Sequence, residues 1–200
     1  MGDLTGPDLG QRIEAAKLEA EQAAEIKAQS VELVNAQSSA ASQEPSGRDV
    51  PMQIEFGANS VSPAPTSVTL DANGTLTFNE VGRYLIDISL QFGRMTGAGE
   101  SIFILYGTVN PTSGTNDEDD FPVGRVFHAE LDNNKTSLPI FATNHLVEVS
   151  TAGLQLKYWL QRDSAGTNDG GLIQIIPSGT HFGNAIPVSN TAGISVFGIA

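Results

Sequence analysis

The chain has no cysteine, and only 16% of its 200 residues are charged. Without thiols, neither disulfides nor thiolate metal sites contribute, so the fold must stand on packing or on association with copies of itself. Basic residues are scarce, 10 against 23 acidic ones, and the resulting net charge of −13 repels a phosphate backbone. No nucleic-acid partner is expected. No apolar run approaches the ~20 residues that span a bilayer, so no membrane insertion is expected either. The opening residues, MGDLTGPD, lack a basic region and an apolar core and do not read as a secretory signal. Gly6 stands where a myristoylation pattern wants Ser or Thr. The Asn-x-Thr triplets at Asn73 and Asn134 are read as chance occurrences.

What is abundant is turn chemistry. The 21 glycines and 10 prolines, with 40% hydrophobic residues, suit a β protein with one good core. The most informative stretch is Leu76 to Phe92, LTFNEVGRYLIDISLQF. Tyr84, Ile86, Ile88, Leu90 and Phe92 alternate with Arg83, Asp87, Ser89 and Gln91, and only Leu85 breaks the polar row. Successive strand side chains point to opposite faces, so this is a half-buried strand with one core face.

Composition divides the chain. Residues 9 to 41 contain no proline and only Gly10, and they are rich in Ala, Glu, Gln and Lys. These are helix formers, and Asp8 with Gln11 resembles a capping box. The reading is an N-terminal helical anchor, 1–41, whose α-helix over 9–41 is roughly 50 Å long at 1.5 Å per residue. Its small-residue seam (Ile13, Ala16, Ala20, Ala24, Ala28, Val31 and Val34) buries little area, so the helix needs a partner or host. Residues 42–51 read as a linker, interrupted by Pro45 and Pro51. Residues 52–200 read as an all-β head. Its expected strands are 53–56, 67–70, 75–78, 82–92, 101–109, 124–131, 137–142, 147–150, 154–161, 172–176 and 193–199, with a tight turn at Ala72-Asn73-Gly74.

Two segments, Ile102 to Tyr106 and Leu172 to Ile176, are apolar on both faces. A sandwich buries one face of each sheet, so a second cover is required. A subunit interface is expected there, with Phe103, Leu105, Ile173, Ile175 and Phe197 as its candidates.

Leu76-x-Phe78 followed by Gly82-x-Tyr84 and a long alternating strand resembles the head domain of the tumour necrosis factor and complement globular-head superfamily. Gly153 leading into LQLKYWLQ resembles that family's penultimate core strand, and ISVFGIA its central last strand. The resemblance covers residues 52–200 and implies a jelly-roll β-sandwich that forms a homotrimer with its inner sheets around the three-fold axis. Members occur as receptor ligands, as complement heads, and as knobs on bacteriophage needles and fibres. A cysteine-free acidic chain with a helix before its head resembles the phage group most. The loops match no ligand-contact motif of the family, so no binding site is carried over.

The residues offer little chemistry. Asp117, Glu118, Asp119 and Asp120 are the candidate ligands for a hard cation, but they lack the alternate-residue spacing and glycine of a calcium loop. A solvated acidic loop is the reading, and no metal is expected. His128, His145 and His181 form no paired motif, so no metal-dependent enzyme is expected. Gly93 to Gly99 is a hairpin loop, not a phosphate cradle. Trp159 lies on the polar side of its strand and is the candidate for binding a partner or sugar. The expectation is a non-enzymatic, cofactor-free virion protein made in a host cytoplasm. It is read as a trimeric tail-fibre or spike component docked on other virion proteins through its helix, with the head facing a host receptor or glycan. The alternatives are a capsid decoration or head fibre and, from other classes, a jelly-roll enzyme or secreted ligand.

Overall fold

The computed structural model describes residues 31–94, 99–110, 121–132, 136–163, 169–175, 180–181, 184–185, 188–199, with backbone alone at 121–126, 180–181, 184–185. Its strands are β1 (Val31–Gln37), β2 (Ser42–Gln43), β3 (Met52–Gln53), β4 (Val68–Leu70), β5 (Leu76–Phe78), β6 (Gly82–Leu90), β7 (Phe92–Gly93) and β8 (Ser101–Asn110). They continue with β9 (Phe121–Leu131), β10 (Phe141–Val149), β11 (Leu154–Arg162), β12 (Gly171–Ile173), β13 (Thr180–His181), β14 (Asn184–Ala185) and β15 (Ala192–Ile199).

Two antiparallel sheets face each other. The first runs β1-β15-β6-β10; the second runs β4-β5-β11-β8-β9, with β3 also pairing β11. The chain changes sheet from β5 to β6, from β6 to β8, from β9 to β10, from β10 to β11 and again before β15. That repeated crossing makes the sandwich a jelly roll, as the resemblance implies. The alternating residues meet inside: Tyr84, Ile86, Ile88 and Leu90 of β6 pack with Leu156, Tyr158 and Leu160 of β11 in one core. Phe56 meets Tyr158 edge-on at 6.0 Å, and Phe78 lies 4.8 Å from Tyr84. Tyr84 closes its own corner by donating from its hydroxyl to the Glu80 carbonyl at 2.8 Å.

The expected helix and linker are corrected from residue 31 onward; residues 1–30 lie outside the described residues. Val31 to Gln37 form β1, hydrogen-bonded along β15. Glu32 pairs Phe197 and Val34 pairs Val196, so a bulge inserts one residue and turns both Leu33 and Val34 inward. Val31 and Val34 fit a helical stripe in sequence, but β-branched residues also suit a half-buried strand, and pairing with β15 decides between them. The expected linker 42–51 is likewise part of the head. Gln43 of β2 is buried and donates from Nε2 to Ser38 Oγ, Thr191 Oγ1 and the Glu55 carbonyl. Its Oε1 accepts from the Glu55 N–H. The head therefore begins by residue 31, not 52.

Strand β10 unites two expected strands. Phe141, Thr143, His145 and Val147 are half-buried, while Ala142, Asn144, Leu146 and Glu148 are exposed. The polar Thr143 and His145 inside, and Leu146 outside, disguise one continuous alternation.

The tight turn before β5 stands as expected. Asp71 Oδ1 accepts from the N–H groups of Asn73 and Thr75, and Gly74 has φ +88°. A Cβ at Gly74 would lie 1.9 Å from the Ile54 carbonyl oxygen. Gly74→Ala combines left-handed strain with that clash and should destabilise the head by about 3 kcal/mol. Urea unfolding checks it: the midpoint falls, and an unchanged midpoint would show that the Ile54 backbone yields freely.

Candidate functional site: an open sheet face and the cleft beside it

Every residue of a two-sheet sandwich that points away from the core is a candidate surface, and strand register says which of them adjoin. On the first sheet, Glu32 pairs Phe197, Phe197 pairs Leu85, and Leu85 pairs Leu146. Phe197 and Leu85 are half-buried and Leu146 is 48% exposed, so a short apolar row crosses β15, β6 and β10 on the outward face. Leu85, the one residue that broke the polar row in sequence, belongs to it. The neighbouring row is polar: Asn35, Ser195, Asp87 and Asn144. Beyond that, Gly193, Ser89 and Ala142 leave a shallow depression of about 350 Å³.

Among the described residues β10 ends the first sheet, pairing only with β6. Where its inner side faces β8 and β11, the two sheets part around a cleft of about 760 Å³. Leu105, Val109, Phe127, Val147, Leu154 and Leu156 make its lining largely apolar. Inside it the Tyr158 hydroxyl meets His145 Nε2 at 2.8 Å, tying the two sheets together. Burial pushes the Tyr158 hydroxyl well above the usual tyrosine value. Burial also lowers the His145 pKa, partly opposed by the negative charge of Asp87. Leu146 lines the cleft mouth as well as the outward row, so the two surfaces are continuous.

The expected interface residues divide. Phe103 and Leu105 are 0% and 2% exposed, with inward side chains in the core of a single chain. They are corrected to core residues. Ile173 is also buried, because β12 pairs with β2 and β7 in a small third sheet that covers it within the same chain. Ile175 and Phe197 remain at the surface. The outward residues of β8, Ile102 and Ile104, are half-buried, and so is Tyr106, which borders the cleft at the irregularity between Leu105 and Gly107. Trp159 is half-buried on the outward face of the second sheet, in register with Gln53 and Tyr106. Its indole N–H donates to Thr108 Oγ1 at 2.8 Å.

Asp117, Glu118, Asp119 and Asp120 lie outside the described residues, and of His181 only the backbone is described. Among the described residues, no three His, Asp or Glu side chains converge as a metal site would require. One buried charged group among the described residues is structural. Arg162 Nη1 pairs with Asp169 at 2.9 Å, and Nη2 donates to the Pro45 carbonyl at 2.8 Å. This arginine fastens the 42–49 segment to β11. The cleft was not legible in sequence, because His145 and Tyr158 converge only when β10 and β11 enter different sheets.

No family model matches the chain, and no curated protein matches it. Among solved structures it is similar to Eiger TNF from S. frugiperda, with 12% identity over 85% of this chain and 94% of that one, and a TM-score of 0.38. At that identity and score, neither a binding role nor a partner carries over from that protein to this chain.

Proposed function

We propose that the chain is a non-enzymatic structural component of a bacteriophage virion that works as a homotrimer. In this reading it is a tail-fibre or spike protein, docked on other virion proteins through its N-terminal segment, with the jelly-roll head outward. The carrying observation is the continuity of the row Phe197, Leu85 and Leu146 with the open cleft beside β10. Apolar surface of this kind is stabilised when covered. A sheet face on one copy meeting the β10 edge of the next is a heterologous contact, which closes into a ring when the rotation permits. Three copies around an axis, with these faces inward, cover both surfaces at once.

The virion part of the reading rests on composition: a cysteine-free, acidic chain whose alanine-rich N-terminal segment precedes a compact head. Small-residue helices pack closely on a host particle but bury little area alone. Host contact, to a receptor or glycan, falls in this reading to segments within 93–100, 114–122 and 163–171 that the sequence reads as loops, since loops carry variation and function on a rigid scaffold.

Charge reversals in these loops should lower adsorption of particles to cells while leaving particle assembly intact. Deleting residues 1–30 should release the protein from the particle. Particles that lack the head yet adsorb normally would instead favour a capsid decoration or head fibre.

A further inference from the structure

We infer that assembly of the head is acid-sensitive, with proton uptake by His145 loosening the cleft and releasing the neighbouring copy that covers it. The inference rests on the homotrimer reading above.

β10 lies at the edge of its sheet. Its inner residues are half-buried, so His145 keeps some contact with water in the single chain. Its ring stands edge-on to Tyr158, with centroids 5.8 Å apart. Tyr158 is buried, and among the described residues its hydroxyl has one hydrogen-bond partner, His145 Nε2. With its proton on Nδ1, the neutral imidazole accepts there from the tyrosine O–H. A protonated one is a donor at both nitrogens, so the bond must reverse and the hydroxyl hydrogen must leave the imidazole. Proton uptake therefore breaks the existing arrangement of the bond and places charge among Leu105, Phe127, Val147 and Leu156.

The groups around His145 do little to offset this. β11 contributes Tyr158, and β8 contributes Tyr106, which burial also holds neutral. The described β9 side chain in the lining, Phe127, is apolar. β6 contributes the Asp87 carboxylate, which favours the charged imidazole but is outweighed by burial. Glu148 stands at the cleft on β10 itself.

Covering the cleft with a second copy removes the remaining water from His145. The neutral form is then favoured more strongly in the assembly than in the free chain, and association releases a proton. The sign follows: association is strongest above the free chain's histidine pKa and weakens as pH falls through it, in a window opening below about 6.5. Each unit of difference between the two pKa values changes the association constant by about tenfold per subunit, and three subunits multiply the effect.

Sedimentation of the intact chain at pH 7.5 and 5.5 tests this, with His145→Gln as the key variant, because the glutamine carbonyl still accepts from Tyr158 and does not titrate. The expected result is a trimer at pH 7.5 and a tenfold or greater rise in dissociation at pH 5.5. His145→Gln should stay trimeric at both. His128→Gln, Asp87→Asn and Glu148→Gln should keep the acid response. A wild-type trimer indifferent to pH, or a His145→Gln trimer that dissociates in acid like wild type, overturns the inference and leaves the trimer reading standing. A wild-type monomer at pH 7.5 overturns both. Imidazole NMR of the unaltered chain gives a reading that needs no variant: His145 should titrate below the ordinary histidine value of about 6.5, and a midpoint at or above that value contradicts the inference.

Discussion

A chain shortened to begin at Asp49 will lose its stable fold, whereas one beginning at Ser30 will unfold cooperatively like the intact protein. The longer truncation removes β1, which supplies Leu33, Val34 and Ala36 to the core and hydrogen-bonds along β15. Burying a Val or Leu side chain contributes about 1.5–3 kcal/mol, so Leu33 and Val34 alone account for about 3–6 kcal/mol. Typical domains hold only about 5–15 kcal/mol of net stability. The cut also removes Gln43, leaving the buried Thr191 hydroxyl and the Glu55 carbonyl without its amide. It further exposes β15 as an edge strand, a template for aggregation. Urea unfolding followed by circular dichroism should show a cooperative transition for 30–200 and none, or aggregation, for 49–200. A stable 49–200 fragment would mean that β1 is peripheral to the fold.

The reason this boundary escaped the sequence is physical. VELVNAQ is compatible with a helix by spacing and with a strand by its valines, and local preference is too weak to choose. Its partner, β15, lies more than 150 residues away (from Val31 to Gly198). Strands whose alternation is complete within a few residues were legible. Tyr84 to Leu90 and Leu154 to Leu160 carry their core face openly, and Asn73-Gly74 marks its own turn. Segments covered by other parts of the same chain misled in the opposite direction. Leu105 and Ile173 read as surfaces awaiting a partner, because nothing local says that another strand of the same chain already covers them. The outward row was half legible: Leu85 and Phe197 stand out in sequence, but only register brings them beside Leu146 and the cleft.

That row carries the second large effect. Leu85→Glu or Leu146→Glu should leave the monomer's fold intact, since both side chains point away from the core. In the trimer, each places carboxylates in a surface that association would dry. An unpaired buried charge costs about 3–5 kcal/mol, so association should weaken by about 100-fold or more. The circular dichroism spectrum should stay that of wild type while the particle falls to a single chain. Substitutions on the outward face of the second sheet, such as Gln161→Glu, should leave the assembly unchanged.

The measurement that bears most directly on the trimer is the mass of the intact chain at neutral pH and micromolar concentration, by multi-angle light scattering. An assembly that covers the outward row and the cleft predicts a particle of about three times the 21.0 kDa chain mass. A particle of 21.0 kDa would leave both surfaces open to water and contradict it.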